Sequence, residues 1–290
     1  MKSFLALLET MRLYQWIKNL LVFAPLVFAE KLIEFEAAGR AMLAFVSFGL
    51  VASAIYLMND LLDVERDRQH PEKCKRPLPS GRLARPLAQS ASLVLVAGGL
   101  ALAYIGGFLI WPLVYWVINI AYSLRLKHMV VLDAMCIAIG FLLRVYAGGE
   151  AIGVPVSPWL TLCTFFVALL LAFAKRRHEL SLLGEESTGH RQSLRDYSVA
   201  YLDQMIAPLG AMTVLAYAAY TVSPATIAHF GPNLVFTVPF VVFGIFRYLY
   251  LVHQRSEGGN PTKLLLKDLQ LLINTFAWFG VSVWVVYGKG

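Results

Sequence analysis

Long apolar blocks constrain the fold of this chain more than any other feature. Nine such blocks follow one another, at about 14–30, 41–58, 88–105, 109–124, 129–149, 158–174, 205–223, 234–252 and 268–287. A helix needs about 20 mostly apolar residues to cross a bilayer. Only 15% of the 290 residues are charged, against about 25% in soluble domains. The sequence therefore predicts an all-α, polytopic membrane bundle of about nine transmembrane helices, in a single domain over residues 1–290.

Other classes of protein fit the sequence poorly. The apolar residues run in blocks and do not alternate with polar ones, which argues against an outer-membrane β-barrel. The cysteines at 74, 136 and 163 share no metal-ligand spacing. Residues 1–10 lack the features of a cleavable signal peptide, so we expect insertion to depend on the first span.

The distribution of basic residues predicts the orientation. With nine spans and a cytoplasmic N-terminus, segments 59–87, 125–128, 175–204 and 253–267 share one side and hold 17 of the 25 Lys and Arg residues. Cytoplasmic loops carry such an excess. Eight spans would scatter these charges, so nine is favoured, although 109–124 is short and 14–30 contains Lys18 and Pro25. The net charge of +7 then indicates topology and an anionic substrate, not nucleic acid.

An acidic motif directly follows the second predicted span. Its oxygen-bearing side chains belong to Asn59, Asp60, Asp63 and Asp67. If the helix continues through them, its periodicity places all four on one face. Mg²⁺ prefers such oxygen ligands and completes its shell with phosphate and water. We therefore predict a Mg²⁺ site at the cytoplasmic edge of the membrane; the alternative is a solvated acidic helix end.

A basic loop follows the acidic motif. Three prolines and a glycine within residues 71–82 predict that the helix has ended. Lys73, Lys75, Arg76 and Arg82 are thus expected beside the acidic face. They could serve only as a topology anchor, or also as a clamp for phosphate groups bound to the same metal. The adjoining acidic and basic residues favour both roles together.

These motifs resemble the UbiA-type intramembrane prenyltransferase superfamily. The resemblance rests on Asn-Asp-x-x-Asp-x-x-x-Asp at 59–67, Arg-Pro-Leu-Pro-Ser-Gly at 76–81, Tyr-Ser-Leu-Arg-Leu-Lys at 122–127 and the nine-span layout. It implies a helical bundle with a cytoplasmic cap of loops over a cavity open to lipid. It also implies Mg²⁺-bound diphosphate chemistry.

The segment after the sixth span departs from the members of that superfamily that transfer prenyl groups, which carry a second aspartate-rich motif there. Here it reads Lys-Arg-Arg-His-Glu-Leu at 175–180 and Arg-Gln-Ser-Leu-Arg-Asp-Tyr-Ser at 191–198. This combination resembles the decaprenyl-phosphate phosphoribosyltransferase branch. The branch implies transfer from 5-phosphoribosyl-1-diphosphate to decaprenyl phosphate, giving a precursor of lipid-linked arabinose for envelope glycans. Fixed cations would also help two anionic substrates to share a cavity of low dielectric constant.

Two groups of residues are predicted to carry the reaction. The predicted metal ligands are Asn59, Asp60, Asp63 and Asp67, and the predicted catalytic residues are Asp60, Asp63, Asp67 and Lys127. The predicted anion-binding residues are Lys73, Lys75, Arg76, Arg82, Tyr122, Lys127, Arg144, Lys175, Arg176, Arg177, Glu179, Arg191 and Arg195. Arg144 could equally pair within the bundle. Asp133 could contact a metal or the ribose, but a structural role as a partner of Lys127 or Arg144 is favoured.

The expected setting is the inner or plasma membrane, with the N-terminus and the active site cytoplasmic, contacts to membrane lipids and a possible homo-oligomer. One rival function is an ordinary prenyltransferase that joins a prenyl diphosphate to an aromatic acceptor. A rival of another class is a secondary transporter for an anion, which would place ionisable groups near the middle of the membrane. Arg144 is the residue that favours the transporter.

Overall fold

The computed structural model describes residues 2–183, 196–255, 257–259 and 261–288, and this part of the chain is helical. The α-helices are α1 Lys2–Met11, α2 Ala24–Phe28, α3 Phe35–Leu62, α4 Val64–Arg68, α5 Arg85–Ile105, α6 Ile110–Leu124, α7 Leu132–Ala151, α8 Pro158–Leu183, α9 Val199–Thr221, α10 Pro224–Phe230, α11 Val238–Gln254, α12 Pro261–Lys267 and α13 Leu269–Tyr287. 3-10 helices cover Leu13–Phe23, Lys73–Lys75, Leu126–His128 and Pro232–Thr237. The predicted all-α class is confirmed.

Seven helical segments of the described residues are long and apolar enough to cross a membrane. They are α3, α5, α7, α8 up to Ser181, α9, the 3-10 turn at Pro232 with α11, and α13. The other two predicted spans look different. α6 has 15 residues, and the segment at 14–30 is a 3-10 helix followed by the five-residue α2, with Pro25 in the first turn of α2, where proline is tolerated. The multi-pass architecture is confirmed, and the count of nine spans stays a prediction.

Two compact units make up the chain. The first comprises Met1–Leu124 and Leu143–Val156, and the second comprises Arg125–Leu142 and Ser157–Gly290. Helix α7 contributes residues to both units. The predicted single domain over 1–290 stays a prediction.

Helix α3 is the centre of the first unit and packs most extensively on α5. Two hydroxyl groups join these helices: Ser47 Oγ donates to the Gly99 carbonyl at 2.8 Å, and Ser92 Oγ donates to the Ala54 carbonyl at 3.0 Å. Small residues let helices in membranes approach closely. Because α3 ends at Leu62, this packing fixes the position of the acidic motif.

The N-terminal segment of the first unit lies against α3 and α7. A Cβ added at Gly148 of α7 would lie 1.9 Å from the Val22 carbonyl oxygen, so only glycine permits the 3-10 helix Leu13–Phe23 to approach so closely. Helix α1 contributes Ala6 to a buried cluster that includes Leu57 and Leu78. The cluster joins α1 to the end of α3 and to the basic loop.

The second unit is built on the packing of α8 against α9, with α11 packed on α9 and α13 on α11. Its buried core includes Phe173, Leu202, Ile206 and Leu251. The basic residues at 175–177 lie in the C-terminal half of α8. Their surroundings are therefore set by the packing of this unit.

Candidate functional site

The acidic motif is interrupted at Asp63, so the expectation of one continuous helix through residues 59–67 is wrong there. Asp63 has φ −96° and ψ 4°, away from the helical ψ of about −42°. The Asp67 N–H still donates to the Asp63 carbonyl at 2.8 Å. Val64, the next residue, is buried in the apolar cluster with Leu57 and Leu78.

Two carboxylates of the motif converge on one arginine. Asp60 and Asp67 are 3% and 2% exposed. Arg76 Nη1 donates to Asp67 Oδ2 at 2.7 Å and to Asp60 Oδ1 at 3.4 Å. Arg12 Nη2 donates to the same Asp60 oxygen at 2.6 Å. Buried carboxylates require such partners. The predicted proximity of Arg76 to the acidic face is confirmed.

The other two predicted ligands have different surroundings. Asn59 Oδ1 accepts a hydrogen bond from Ser123 Oγ of α6 at 2.5 Å. Asp63 is partly exposed and lies 4.0 Å from Arg66 Nη1. Among the described residues, no group of three or more His, Cys, Asp or Glu side chains could hold a metal ion. The structure thus brings Asp60 and Asp67 together and does not assemble the predicted set of four ligands.

The chemistry of the Asp60–Asp67 pair nevertheless fits Mg²⁺. Both residues supply carboxylate oxygens, and one oxygen of each, Asp60 Oδ1 and Asp67 Oδ2, contacts the same cation, Arg76. Mg²⁺ is commonly bound by one or two carboxylates together with substrate phosphates and water. The pair therefore fits an ion that shares its shell with a substrate, and does not fit a cage made only of protein ligands.

The basic loop is tied to α1. Arg82 donates to both carboxylate oxygens of Glu9, at 2.8 and 3.0 Å, and to the Lys75 carbonyl at 2.7 Å. The hydrogen bond from Arg82 to Glu9 raises the pKa of this arginine. Lys75 is exposed and Lys73 is half-buried. Arg82 thus helps to shape the loop, in addition to carrying positive charge.

A second charged cluster lies inside the second unit. Asp133 and Arg176 are 0% and 1% exposed, and Arg176 Nε donates to Asp133 Oδ2 at 2.6 Å. Arg176 Nη1 also donates to Glu179 at 2.9 Å, and the Tyr197 hydroxyl donates to Asp133 Oδ1 at 2.8 Å. Lys175 Nζ lies 3.8 Å from Glu179. Asp133 thus has a structural role through Arg176 of α8 and Tyr197, and its pairing with Lys127 or Arg144 stays a prediction.

Tyr197 completes this cluster by a second hydrogen bond. Its hydroxyl accepts the Val131 N–H at 2.7 Å, and Val131 has a positive φ of 68°, which is rare for a β-branched residue. Burial raises the pKa of the Tyr197 hydroxyl. The phenol therefore stays protonated and able to donate to Asp133 at neutral pH.

Arg177 joins three helices of the second unit. Its Nε donates to Asp203 Oδ1 of α9 at 2.5 Å, and its Nη1 donates to the Val252 carbonyl of α11 at 3.1 Å. His253 Nε2 lies 3.1 Å from the same Asp203 oxygen. Arg176 and Arg177, both predicted to bind substrate, therefore take part in ion pairs within the protein.

Arg144 is buried in the first unit, with 5% exposure. Its Nε donates to Asn19 Oδ1 at 2.7 Å and its Nη2 donates to the Tyr115 hydroxyl at 2.9 Å. The guanidinium also lies 4.5 Å from the centre of the Tyr115 ring. These contacts support the interpretation in which Arg144 pairs within the bundle.

Four predicted anion-binding residues lie at the end of α6, after it, or outside the described residues. Tyr122 lies near the end of α6 and Lys127 lies in the 3-10 helix that follows, and both are half-buried. Arg191 and Arg195 lie outside the described residues. Sequence reasoning missed the contacts of Glu9 with Arg82, of Arg12 with Asp60 and of Ser123 with Asn59. In the sequence, these three residues show only a charge or a hydroxyl near a predicted membrane edge.

The sequence matches the UbiA prenyltransferase family over residues 20–279. It is 34% identical over 298 residues to the decaprenyl-phosphate phosphoribosyltransferase of Mycolicibacterium smegmatis, covering 97% of this chain and 92% of the relative. It is also 34% identical over 295 residues to the decaprenyl-phosphate phosphoribosyltransferase of Corynebacterium glutamicum, covering 97% of this chain and 86% of the relative.

Solved structures share the fold. A UbiA homolog from Archaeoglobus fulgidus bound to GPP and Mg²⁺ superposes with a TM-score of 0.73 at 20% identity, over 97% of this chain and 99% of that one. A structure of a digeranylgeranylglyceryl phosphate synthase superposes with a TM-score of 0.70 at 18% identity, over 99% of this chain and 100% of that one. At these identities, the superpositions establish the fold alone.

Proposed function

Since this chain belongs to the UbiA prenyltransferase family, we propose that it is a Mg²⁺-dependent polyprenyl-phosphate phosphoribosyltransferase. It transfers the 5-phosphoribosyl group of 5-phosphoribosyl-1-diphosphate to a polyprenyl phosphate such as decaprenyl phosphate, and releases diphosphate. The observation that carries the substrate assignment is the nearly full-length similarity to relatives named for this transfer. The product would be a precursor of lipid-linked arabinose for envelope glycans.

The first unit supplies the groups that bind the donor. Asp60 and Asp67 are the residues that would hold Mg²⁺, and Asn59 and Asp63 stay ligands predicted from the sequence. When bound, the ion would neutralise charge on the diphosphate leaving group. Arg76 lies at 2.7 Å from Asp67 and is 33% exposed at its side chain, so it can exchange a carboxylate partner for a diphosphate oxygen without leaving its position.

The bond changes follow from the two substrates. A phosphate oxygen of the lipid attacks the anomeric carbon of the donor, and the bond from that carbon to the diphosphate oxygen breaks, with inversion. A lipid phosphate is ionised at neutral pH, so the attack needs no general base. We accordingly assign no proton transfer to a side chain. The protein contributes by positioning two anions that repel each other and by stabilising the departing diphosphate.

Further cations complete the proposed site. Lys73 and Lys75 belong to the loop that carries Arg76, and we propose that they attract the phosphate groups of the donor. Lys127 and Lys175 stay anion-binding residues predicted from the sequence alone. We also propose that the site faces the cytoplasm of the inner or plasma membrane, in agreement with the distribution of Lys and Arg.

A product assay in proteoliposomes tests the function. Purified protein is incubated with 5-phosphoribosyl-1-diphosphate, decaprenyl phosphate and Mg²⁺, and the lipids are identified by mass spectrometry. We expect a phosphoribosylated lipid whose formation stops when EDTA is added. A parallel reaction contains geranyl diphosphate and 4-hydroxybenzoate. A prenylated acceptor in that reaction, without a phosphoribosylated lipid in the first, would replace the proposal with the prenyltransferase alternative. Anion flux without a chemical product would indicate a transporter.

A further inference from the structure

We propose that Arg12 is a positioning residue of the Mg²⁺ site, which fixes Asp60 by holding its Oδ1 so that Oδ2 is presented to the metal. The inference rests on the proposed function, because it concerns the same acidic pair. Arg12 lies in the segment between α1 and the 3-10 helix Leu13–Phe23. No role was predicted for it from the sequence.

Arg12 orients the carboxylate of Asp60, whose charge Arg76 already balances. Asp60 Oδ1 accepts from Arg76 at 3.4 Å and from Arg12 at 2.6 Å, so the shorter bond is the one from Arg12. The guanidinium of Arg12 also lies 5.1 Å from the centre of the Tyr56 ring, which adds a cation–π contact. Since Arg12 is held both by Asp60 and by Tyr56, it can fix the rotamer of the Asp60 side chain.

The backbone at Arg12 is unusual and is held in place by α3. Arg12 has φ 52° and ψ 50°, the left-handed conformation that non-glycine residues rarely adopt. Such strain persists only where the surrounding structure determines it, and it is frequent at functional sites. Here Ser53 Oγ donates to the Met11 carbonyl at 3.0 Å, and Trp16 Nε1 donates to Ser53 Oγ at 3.0 Å.

A glycine of α3 provides the space for this anchor. A Cβ added at Gly49 would lie 2.7 Å from three ring atoms of Trp16. Trp16 therefore rests on Gly49 and bonds to Ser53, one turn further along α3, while Asp60 follows two turns later. Helix α3 thus holds both the metal ligand and the anchor that sets the position of Arg12.

Positioning of this kind has a known energetic consequence. Carboxylates that bind metals are commonly held by hydrogen bonds from neighbouring groups, and loss of such a partner typically weakens metal affinity about 10- to 100-fold. Neutralising Asp60 alone would not require Arg12, since Arg76 contacts the same oxygen. Arg12 therefore differs from Arg76 in its role, which is to orient the carboxylate of Asp60.

The backbone conformation makes a clean substitution available. Asparagine is well tolerated in the left-handed region, so Arg12→Asn removes the guanidinium and keeps the backbone. We expect the dissociation constant for Mn²⁺, measured by electron paramagnetic resonance in the presence of inorganic diphosphate, to rise about 10- to 100-fold. We also expect kcat for transfer to recover at saturating metal. Arg12→Lys, which restores one donor, should recover part of the affinity.

Two further variants separate positioning from general damage. Arg40→Asn is the matched control, because Arg40 pairs with Glu36 at the exposed start of α3, and it should leave the Mn²⁺ affinity unchanged. Gly49→Ala displaces Trp16 without changing any charge, and should weaken Mn²⁺ binding in the same direction as Arg12→Asn. Both variants are compared with the wild type for thermal stability in detergent.

The outcomes are distinct. Unchanged Mn²⁺ affinity in folded Arg12→Asn would overturn the inference, and so would an Arg12→Asn variant that fails to fold, since the guanidinium would then serve fold stability. An equal loss of affinity in Arg40→Asn would overturn it as well. If the wild type binds Mn²⁺ with diphosphate but forms no phosphoribosylated lipid, the proposed function fails, while the positioning of Asp60 is still tested by the binding data.

Discussion

The two charged clusters of the molecule use the same residue types in opposite ways. In the first unit, Asp60 and Asp67 are buried, but the side chains of Arg12 and Arg76 are 23% and 33% exposed. In the second unit, Arg176 and Asp133 are both inaccessible, at 1% and 0%. A partly exposed arginine can take a new anionic partner, whereas a fully buried one would leave a buried charge uncompensated. The first cluster is thus suited to bind substrate, and the second to hold helices together.

The largest effect is expected at Asp133. Asp133→Asn removes the fully buried carboxylate partner of Arg176 and leaves it only Glu179, which is partly exposed. Breaking a buried pair costs up to about 3–5 kcal/mol. We expect a large drop in the denaturation midpoint of the purified protein in detergent. Glu65→Gln, a change at an exposed ion pair, serves as the control. Unchanged stability of Asp133→Asn together with loss of substrate binding would mean that both clusters bind substrate.

Arg76→Lys should produce the next largest effect, and on function. Lysine keeps the charge, but its compact ammonium on a flexible stem does not reproduce the fixed position of Arg76 Nη1, which contacts both Asp60 and Asp67. Loss of one charge-assisted hydrogen bond, worth about 1.5–3 kcal/mol, should raise the KM for the phosphoribosyl donor on the order of 10- to 100-fold. Initial rates at varied donor and fixed lipid check this. A fall in stability with an unchanged KM would instead mean that Arg76, like Arg176, stabilises the fold and does not bind the donor.

Arg144 extends the comparison to a buried arginine of the first unit. Arg144→Met removes the donors to Asn19 and Tyr115, whose buried oxygens then lose a partner, at a cost of about 1–3 kcal/mol. We expect a lower denaturation midpoint and an unchanged KM for the donor in the remaining folded protein. A rise in the KM for the donor alone would mean that Arg144 binds an anionic substrate group, as the sequence predicted.

The smallest effect is expected at Glu65. The hydrogen bond from Arg85 lowers the pKa of the exposed Glu65 carboxyl. Because this folded-state pKa lies below the ordinary glutamate value, any stability from the pair is present above that value and is lost only as the pH falls through the lowered pKa. The pH profiles of transfer for the wild type and Glu65→Gln should therefore coincide between about pH 6 and 8. A difference there would connect Glu65 to the reaction.

The sequence was sufficient for those features that depend on local pattern. Apolar blocks predicted the membrane helices, and spacing placed Arg76 beside the acidic motif. The partners of Arg12 and Arg144 could not be predicted, since Arg12 and Asp60 are 48 residues apart and Arg144 and Asn19 are 125 residues apart. Such pairs depend on how helices pack, which local periodicity does not encode.

The interruption of the helix at Asp63 could not be predicted from the local sequence pattern either. Helical spacing predicted four oxygen ligands on one face, but burial of Val64 in the cluster with Leu57 and Leu78 competes with a continuous helix at Asp63. Tertiary packing then decides which carboxylates meet. Asp60 and Asp67 become buried neighbours of Arg76, and Asp63 stays partly exposed.

The most direct test is Mg²⁺-dependent formation of the phosphoribosylated lipid by Asp67→Asn, measured by mass spectrometry beside wild type at equal amounts of folded protein. Charge stabilisation by a bound metal is worth several kcal/mol, so we predict a rate lower on the order of 10³-fold, with an unchanged denaturation midpoint. A rate equal to that of the wild type would contradict the assignment of the first cluster to the donor. A loss of stability with a normal rate per folded molecule would contradict it as well.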